Sequence, residues 1–242
     1  MLWRARSGPR TSGSAGPRGL LATSVTRSFR GRRVLDNVDL ACAAGEVAVV
    51  SGENGAGKTT LLRIFATVLY PDSGTATVDG YDVVQDGSEV RARIGVALVN
   101  ERSLFWRLSG RDNLRLFAAT ARVPRRLRDK QIQVIMDELD LGGIADQRVA
   151  NLSAGQRQRL ILARAAVAHP SVLLLDEPLR GLDQRGIDRV LEFIARQSQR
   201  GATVLVVAPV LQELADVADR LWELQDGRLR NVGPTALAAV AR

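Results

Sequence analysis

The chain has a single cysteine, Cys42, so no disulfide framework can form within it, in keeping with a reducing compartment. Set among apolar neighbours, Cys42 reads as a small buried hydrophobe. Lysine is nearly absent: of 34 lysines and arginines only Lys58 and Lys130 are lysine. That bias runs through the whole chain, so a codon preference accounts for it as well as a binding patch does. Acidic residues are missing before Asp36, and Met1 to Gly19 is rich in Arg, Gly, Ser and Pro and too polar to pack. This stretch reads as a basic disordered tail over 1–19; an organellar transit peptide or a start codon assigned too early fits the same composition. No apolar run approaches membrane-spanning length. The densest, Val172 to Leu175, ends at two carboxylates, so the chain does not cross a bilayer by itself.

What is present fits an α/β protein. A length of 242 residues suits one large α/β domain or two small ones, and 45% hydrophobic residues supply an ordinary core. The net charge of +8 is compatible with nucleic acid, an anionic membrane surface, or neither.

One stretch organises the rest. Gly52-Glu53-Asn54-Gly55-Ala56-Gly57-Lys58-Thr59-Thr60 follows the apolar run Glu46 to Ser51 and opens the periodic segment Leu61 to Phe65, giving strand, Gly-rich loop and helix. That is the setting of a Walker A phosphate loop. Its backbone N–H groups wrap a phosphate, and the helix behind adds its positive end. Gly52, Gly55 and Gly57 are expected to leave room for the phosphate's close approach. Lys58 is expected to reach the β- and γ-phosphates, and the Thr59 hydroxyl to sit on Mg²⁺.

The remaining pattern predicts antiparallel strands at Leu21 to Val25 and Val34 to Leu40 around the basic turn Arg30 to Arg33. A hairpin at Gly74 to Val84 turns at Asp79-Gly80, and Ile94 to Val99 is a buried strand. Ser109-x-x-Asp112 caps a helix. Ile132, Ile135, Met136 and Leu139 share one helical face, and Ser153 starts another helix. Then come a strand at Val172 to Leu175, a helix at Ile187 to Arg200, a strand at Thr203 to Val207, a helix at Leu211 to Ala218, and a hairpin turned at Asp226-Gly227.

A phosphate loop leaves the task open, because many enzymes share it. The strand Val172 to Asp176 places Asp176 where it can hold Mg²⁺ through water, and Glu177 where it can polarise the water attacking the γ-phosphate. Leu152-Ser153-Ala154-Gly155-Gln156 offers a serine cap and helix-start N–H groups to an anion. With these motifs in this order, the span Leu20 to Val232 resembles the ABC ATPases, whose signature Ser153 to Gln156 matches. Gly181-Leu182-Asp183 is similar to that family's D-loop, although Arg180 stands where a small serine-like residue is usual. Phe29 resembles the aromatic on which adenine stacks.

The resemblance implies a P-loop NTPase of ABC type: an α/β fold with a mostly parallel core sheet, an antiparallel β flap and a helical insertion near 104–168, the ATPase domain filling 20–242. It implies ATP and Mg²⁺ as cofactors, and two ATPase subunits head to tail. Each site then takes the phosphate loop, Asp176 and Glu177 from one subunit and Ser153, Ala154, Gly155 and Gln156 from the other. The second subunit is either a copy of this chain or a different ATPase. A separate membrane-spanning permease is the further partner, which places the chain peripherally on the cytoplasmic face. The run Glu101 to Gly110 resembles export-type members, and Leu104, Phe105 and Trp106 lie beside the expected docking groove.

Two positions depart from the family. The glutamine expected after Ile94 to Val99 falls at Val99 or Asn100, of which Asn100 offers an amide oxygen to the metal. The histidine that touches the γ-phosphate is replaced by Pro209, after Ala208, and the only histidine, His169, lies in a loop elsewhere. ATP binding with weakened turnover at the chain's own site is expected. A soluble ABC ATPase acting on nucleic acid or ribosomes is the rival reading. Such proteins usually carry two ATPase halves or a long coiled-coil insertion, and this chain carries neither; a small-molecule kinase fails on the signature.

Overall fold

The computed structural model describes residues 18–98 and 104–233. Strands β1 (Gly19–Phe29) and β2 (Arg32–Ala43) pair antiparallel from Gly19 opposite Ala43 to Phe29 opposite Arg32. β4 (Ser73–Val78) and β5 (Tyr81–Asp82) extend this sheet in the order β2-β1-β4-β5. Type I′ two-residue hairpins need positive φ at both central residues, and Arg30-Gly31, Asp79-Gly80 and Asp226-Gly227 all have it.

The second sheet has the order β10-β9-β3-β8-β7-β6. β3 (Val47–Ser51), β6 (Ile94–Ala97), β7 (Val172–Asp176), β8 (Thr203–Val207) and β9 (Arg220–Gln225) run parallel, and only β10 (Arg228–Asn231) is antiparallel. β3, β7 and β8 are apolar without alternation because both faces are covered. Val49, Leu173, Leu175 and Val206 point into one cluster, and Val50, Val172, Leu174 and Val207 into the other. The second cluster is closed by α1 (Lys58–Phe65), through Leu61, Leu62 and Phe65, and by the antiparallel sheet, through Val25, Leu40 and Val78.

The first cluster is closed by α3 (Gly110–Thr120), α4 (Arg125–Glu138), α5 (Ala154–Ala166) and α6 (Gln184–Gln199). Ile132, Ile135, Met136 and Leu139 are all buried in it, as their spacing predicts. Ser109 accepts a hydrogen bond from the Asp112 N–H at the start of α3. Phe193 of α6 is fully buried in the same cluster. Phe193→Ala is therefore expected to cost about 3–5 kcal/mol of unfolding free energy by urea titration; a loss below about 1 kcal/mol would contradict this placement.

Two elements differ from expectation. The segment at Leu211 to Ala218 forms a six-residue 3₁₀ helix over Gln212–Val217 instead of an α-helix. Leu214 is its only buried anchor, and so short a piece gains little from an i to i+4 ladder. A five-residue helix, α2 (Gly87–Arg91), follows β5 and is held by Val90 alone, too little periodicity to show in the sequence.

Candidate functional site

The phosphate loop connects β3 to α1 at the carboxyl edge of the parallel sheet, where β7 and β8 also end. Its glycines serve the loop's own shape more than ligand approach. A Cβ on Gly52 would lie 2.3 Å from the Leu224 carbonyl oxygen, and one on Gly57 would lie 2.8 Å from that of Val34. At Gly55 nothing lies within 4 Å, and only its φ of 84° calls for glycine. Glu53, Asn54 and Gly55 are exposed at the tip, Ala56 is half-buried, and the Ala56 N–H donates to the Glu53 carbonyl at 3.1 Å.

Lys58 is buried at the start of α1, its Nζ donating to the carbonyls of Gly52 at 2.5 Å and Glu53 at 3.0 Å. Burial pushes its pKa down, against the opposing pull of the Glu177 and Asp176 charges. The next residue, Thr59, donates its hydroxyl to Asp176, 3.3 Å from either carboxylate oxygen. Thr60 is half-buried one position further along α1. Asp176 is the buried last residue of β7, opposite Val207.

Glu177 breaks out of the strand with a φ of 45° while its N–H donates to the Val207 carbonyl at 2.8 Å. A left-handed glutamate is strained by roughly 1–3 kcal/mol, and here the turn takes its side chain out of the sheet's alternation. Gln158 of α5 donates to the Glu177 and Pro178 carbonyls, each at 3.3 Å, bracing the turn. The chain thus brings Lys58, Thr59, Asp176 and Glu177 together at one edge.

A hydroxyl beside a carboxylate is a hard-oxygen donor set suited to Mg²⁺. Among the described residues no three His, Cys, Asp or Glu side chains gather to hold a metal on their own, so an ion here would need oxygens from its nucleotide. A cleft of about 720 Å³ opens beside the loop, lined by Asn54, Glu177, Arg180, Pro209 and Glu213. On its β8 side the Ala208 N–H is already committed to the Val50 carbonyl at 3.1 Å, and Pro209 has no N–H to give.

Ser153 to Gln156 open α5, the helix whose Gln158 braces the Glu177 turn. Ser153 and Gln156 form a reciprocal capping box at the start of α5, with Ser153 N–H to Gln156 Oε1 at 2.8 Å and Gln156 N–H to Ser153 Oγ at 3.2 Å. Ala154 is exposed, and Gly155 faces the D-loop, where an added Cβ would lie 3.4 Å from the Gly181 carbonyl. None of Ser153 to Gln156 lines the clefts that the phosphate loop lines. Phe29 sits at the β1–β2 turn under the Arg27 guanidinium, 4.8 Å from its centroid, and it also lines none of those clefts. Asn100 and Val99 lie outside the described residues.

Two features were not anticipated. Arg32 and Arg33 line a polar cleft of about 370 Å³ with Gly52 to Ala56, which the acid-free start of the chain signals only in general terms. Arg180 pairs with Glu177, Nη1 to Oε2 at 3.3 Å.

Comparison with known proteins agrees with this fold. The family model described as ABC transporter matches residues 35–180. The daunorubicin resistance ATP-binding protein DrrA3 of Streptomyces coeruleorubidus is 38% identical over 203 residues, covering 84% of this chain. The chain spans 64% of that relative's length. The ABC transporter ATP-binding protein NatA of Bacillus subtilis is 32% identical over 211 residues, covering 86% of each chain. Among solved structures, the dimeric bacterial ABC transporter cassette MJ0796 superposes with a TM-score of 0.79 at 25% identity, covering 88% of this chain and 97% of that one. The mostly parallel sheet with its antiparallel flap, the phosphate loop with its Asp-Glu strand, and these likenesses converge: the chain belongs to the ABC transporter family, as one of its ATP-binding subunits.

Proposed function

We propose that this chain hydrolyses ATP with Mg²⁺ to drive a separate membrane-spanning subunit of an export-type transporter, from the cytoplasmic face. The reading rests on one observation above all, the convergence of Lys58, Thr59, Asp176 and Glu177 at the sheet edge. The loop N–H groups and Lys58 hold phosphates, Thr59 and Asp176 hold Mg²⁺ with Asn100 as a further oxygen donor, and Glu177 polarises water. Phe29 is assigned to the adenine. Ser153 to Gln156 line none of the clefts that the phosphate loop lines, which supports assigning them to a second ATPase subunit's nucleotide, so that ATP holds two subunits together.

No helix among the described residues is long and apolar enough to cross a membrane, which supports a separate membrane subunit. Leu104 is buried in the core, whereas Phe105 and Trp106 stay 50% and 40% exposed and suit that subunit's docking. The export direction is supported by the Glu101 to Gly110 run and by the resistance function named for DrrA3. No nucleic-acid partner is assigned.

Pro209 at the histidine position weakens turnover, and a different ATPase chain is the favoured second subunit. The purified chain with Mg²⁺ and ATP is expected to turn over slowly, and Pro209→His to raise phosphate release about tenfold or more, within the range of a positioned acid–base group. Fast hydrolysis by the unaltered homodimer that Glu177→Gln abolishes would sink the asymmetric-pair reading.

A further inference from the structure

The turn after β7 carries a charge that the nucleotide chemistry above does not use. The Arg180 N–H donates to the Glu177 carbonyl at 3.1 Å, closing a tight turn that places side chains i and i+3 on the same side. The guanidinium then reaches the Glu177 carboxylate at 3.3 Å, the arginine side chain 67% exposed and the glutamate 23%. Both line the cleft beside the phosphate loop, with Asn54 of the loop on one wall and Pro209 on another. Among the described lining residues Arg180 is the one cation, and Glu177 and Glu213 are the acids. At the end of β8 the Ala208 N–H is taken and Pro209 has none, so the neutral donors lining the cleft are the side-chain amides of Asn54 and Gln212 and the Val210 N–H.

We infer that Arg180 is a γ-phosphate-binding residue of this chain's own nucleotide site, supplying the polar contact that Ala208-Pro209 withholds. The inference rests on the nucleotide reading given above. A terminal phosphate carries more negative charge than one carboxylate and presents oxygens that a planar guanidinium fork matches. One guanidinium N–H of Arg180 is engaged with the Glu177 carboxylate, and among the described residues the guanidinium pairs with no other carboxylate. The ion pair holds the long side chain at the mouth of the cleft before the phosphate arrives, which lowers the ordering cost of binding. Arg180 therefore selects nucleoside triphosphate over diphosphate. It strengthens the hold on ATP without adding an acid–base group, so a tightly held and slowly hydrolysed nucleotide follows from the two substitutions together.

Isothermal titration of the full chain with Mg²⁺ and either ADP or a non-hydrolysable ATP analogue tests this. Arg180→Ala is expected to weaken the analogue about tenfold or more and to leave ADP within about twofold, with Arg180→Lys recovering part of the loss. An equal loss for both nucleotides would assign Arg180 to the shape of the loop, and an unchanged or tighter analogue would leave it a mere partner of Glu177; either result overturns the inference. If the unaltered chain bound neither nucleotide, the nucleotide-site reading would itself fall, a result distinct from both.

Discussion

Glu177→Gln is expected to lower ATP turnover by about 10² to 10³-fold while ATP affinity stays within a few-fold of the unaltered chain. Asp176 is buried and fastened to the Thr59 hydroxyl, on the side of the site proposed for the metal. Glu177 is turned out of the strand by its left-handed backbone and lines the open cleft, where water can enter. Glutamine keeps the size and the turn but cannot accept a proton, so binding survives and the chemical step does not. A second consequence follows if ATP holds two subunits together: the Gln variant keeps an ATP-bound pair longer than the unaltered chain, whose own turnover is already slow. Phosphate release and light scattering on the same samples read both effects, and a Gln variant that hydrolyses at the unaltered rate would remove Glu177 from the mechanism.

Lys58→Ala is expected to cut affinity for ATP by two orders of magnitude or more and to leave folding nearly unchanged. The ammonium lies buried inside the loop's ring, where its charge is disfavoured by burial and held by two carbonyls. Removing it relieves that desolvation while releasing the carbonyls toward solvent, and the two changes offset to within about 1 kcal/mol of stability. Toward a phosphate there is no such offset. Two charge-assisted contacts at about 1.5–3 kcal/mol each correspond to roughly 10² to 10⁴-fold in affinity. Titration with ATP beside a thermal melt separates the two. Affinity that survived the substitution would mean that the loop binds something other than phosphate.

The parts legible in the sequence were those that follow from local rules. β3, β7 and β8 announced themselves as unbroken apolar runs, because a strand covered on both faces needs no polar side. The turns at Asp79-Gly80 and Asp226-Gly227 and the caps at Ser109 and Ser153 depend on one or two residues each and fell where those residues stand. What stayed hidden depends on contacts between segments. Leu104, Phe105 and Trp106 look alike in sequence, yet only Leu104 finds the core. Arg180 was visible as a departure, but its carboxylate partner appears only when Glu177 adopts a positive φ and the turn closes. Likewise Gly52 and Gly57 are crowded by Leu224 and Val34, residues distant in sequence that no local reading places beside the loop.

The central claim is that this chain powers a separate membrane protein. Tagging it in its native cell, solubilising membranes in detergent, trapping with ATP and vanadate, and identifying what co-purifies tests that claim most directly. The account predicts a multi-spanning membrane protein together with a second ATPase chain of different sequence. Recovery of ribosomes or nucleic acid with no membrane protein would contradict it, leaving the fold and the phosphate loop intact and the transport reading wrong.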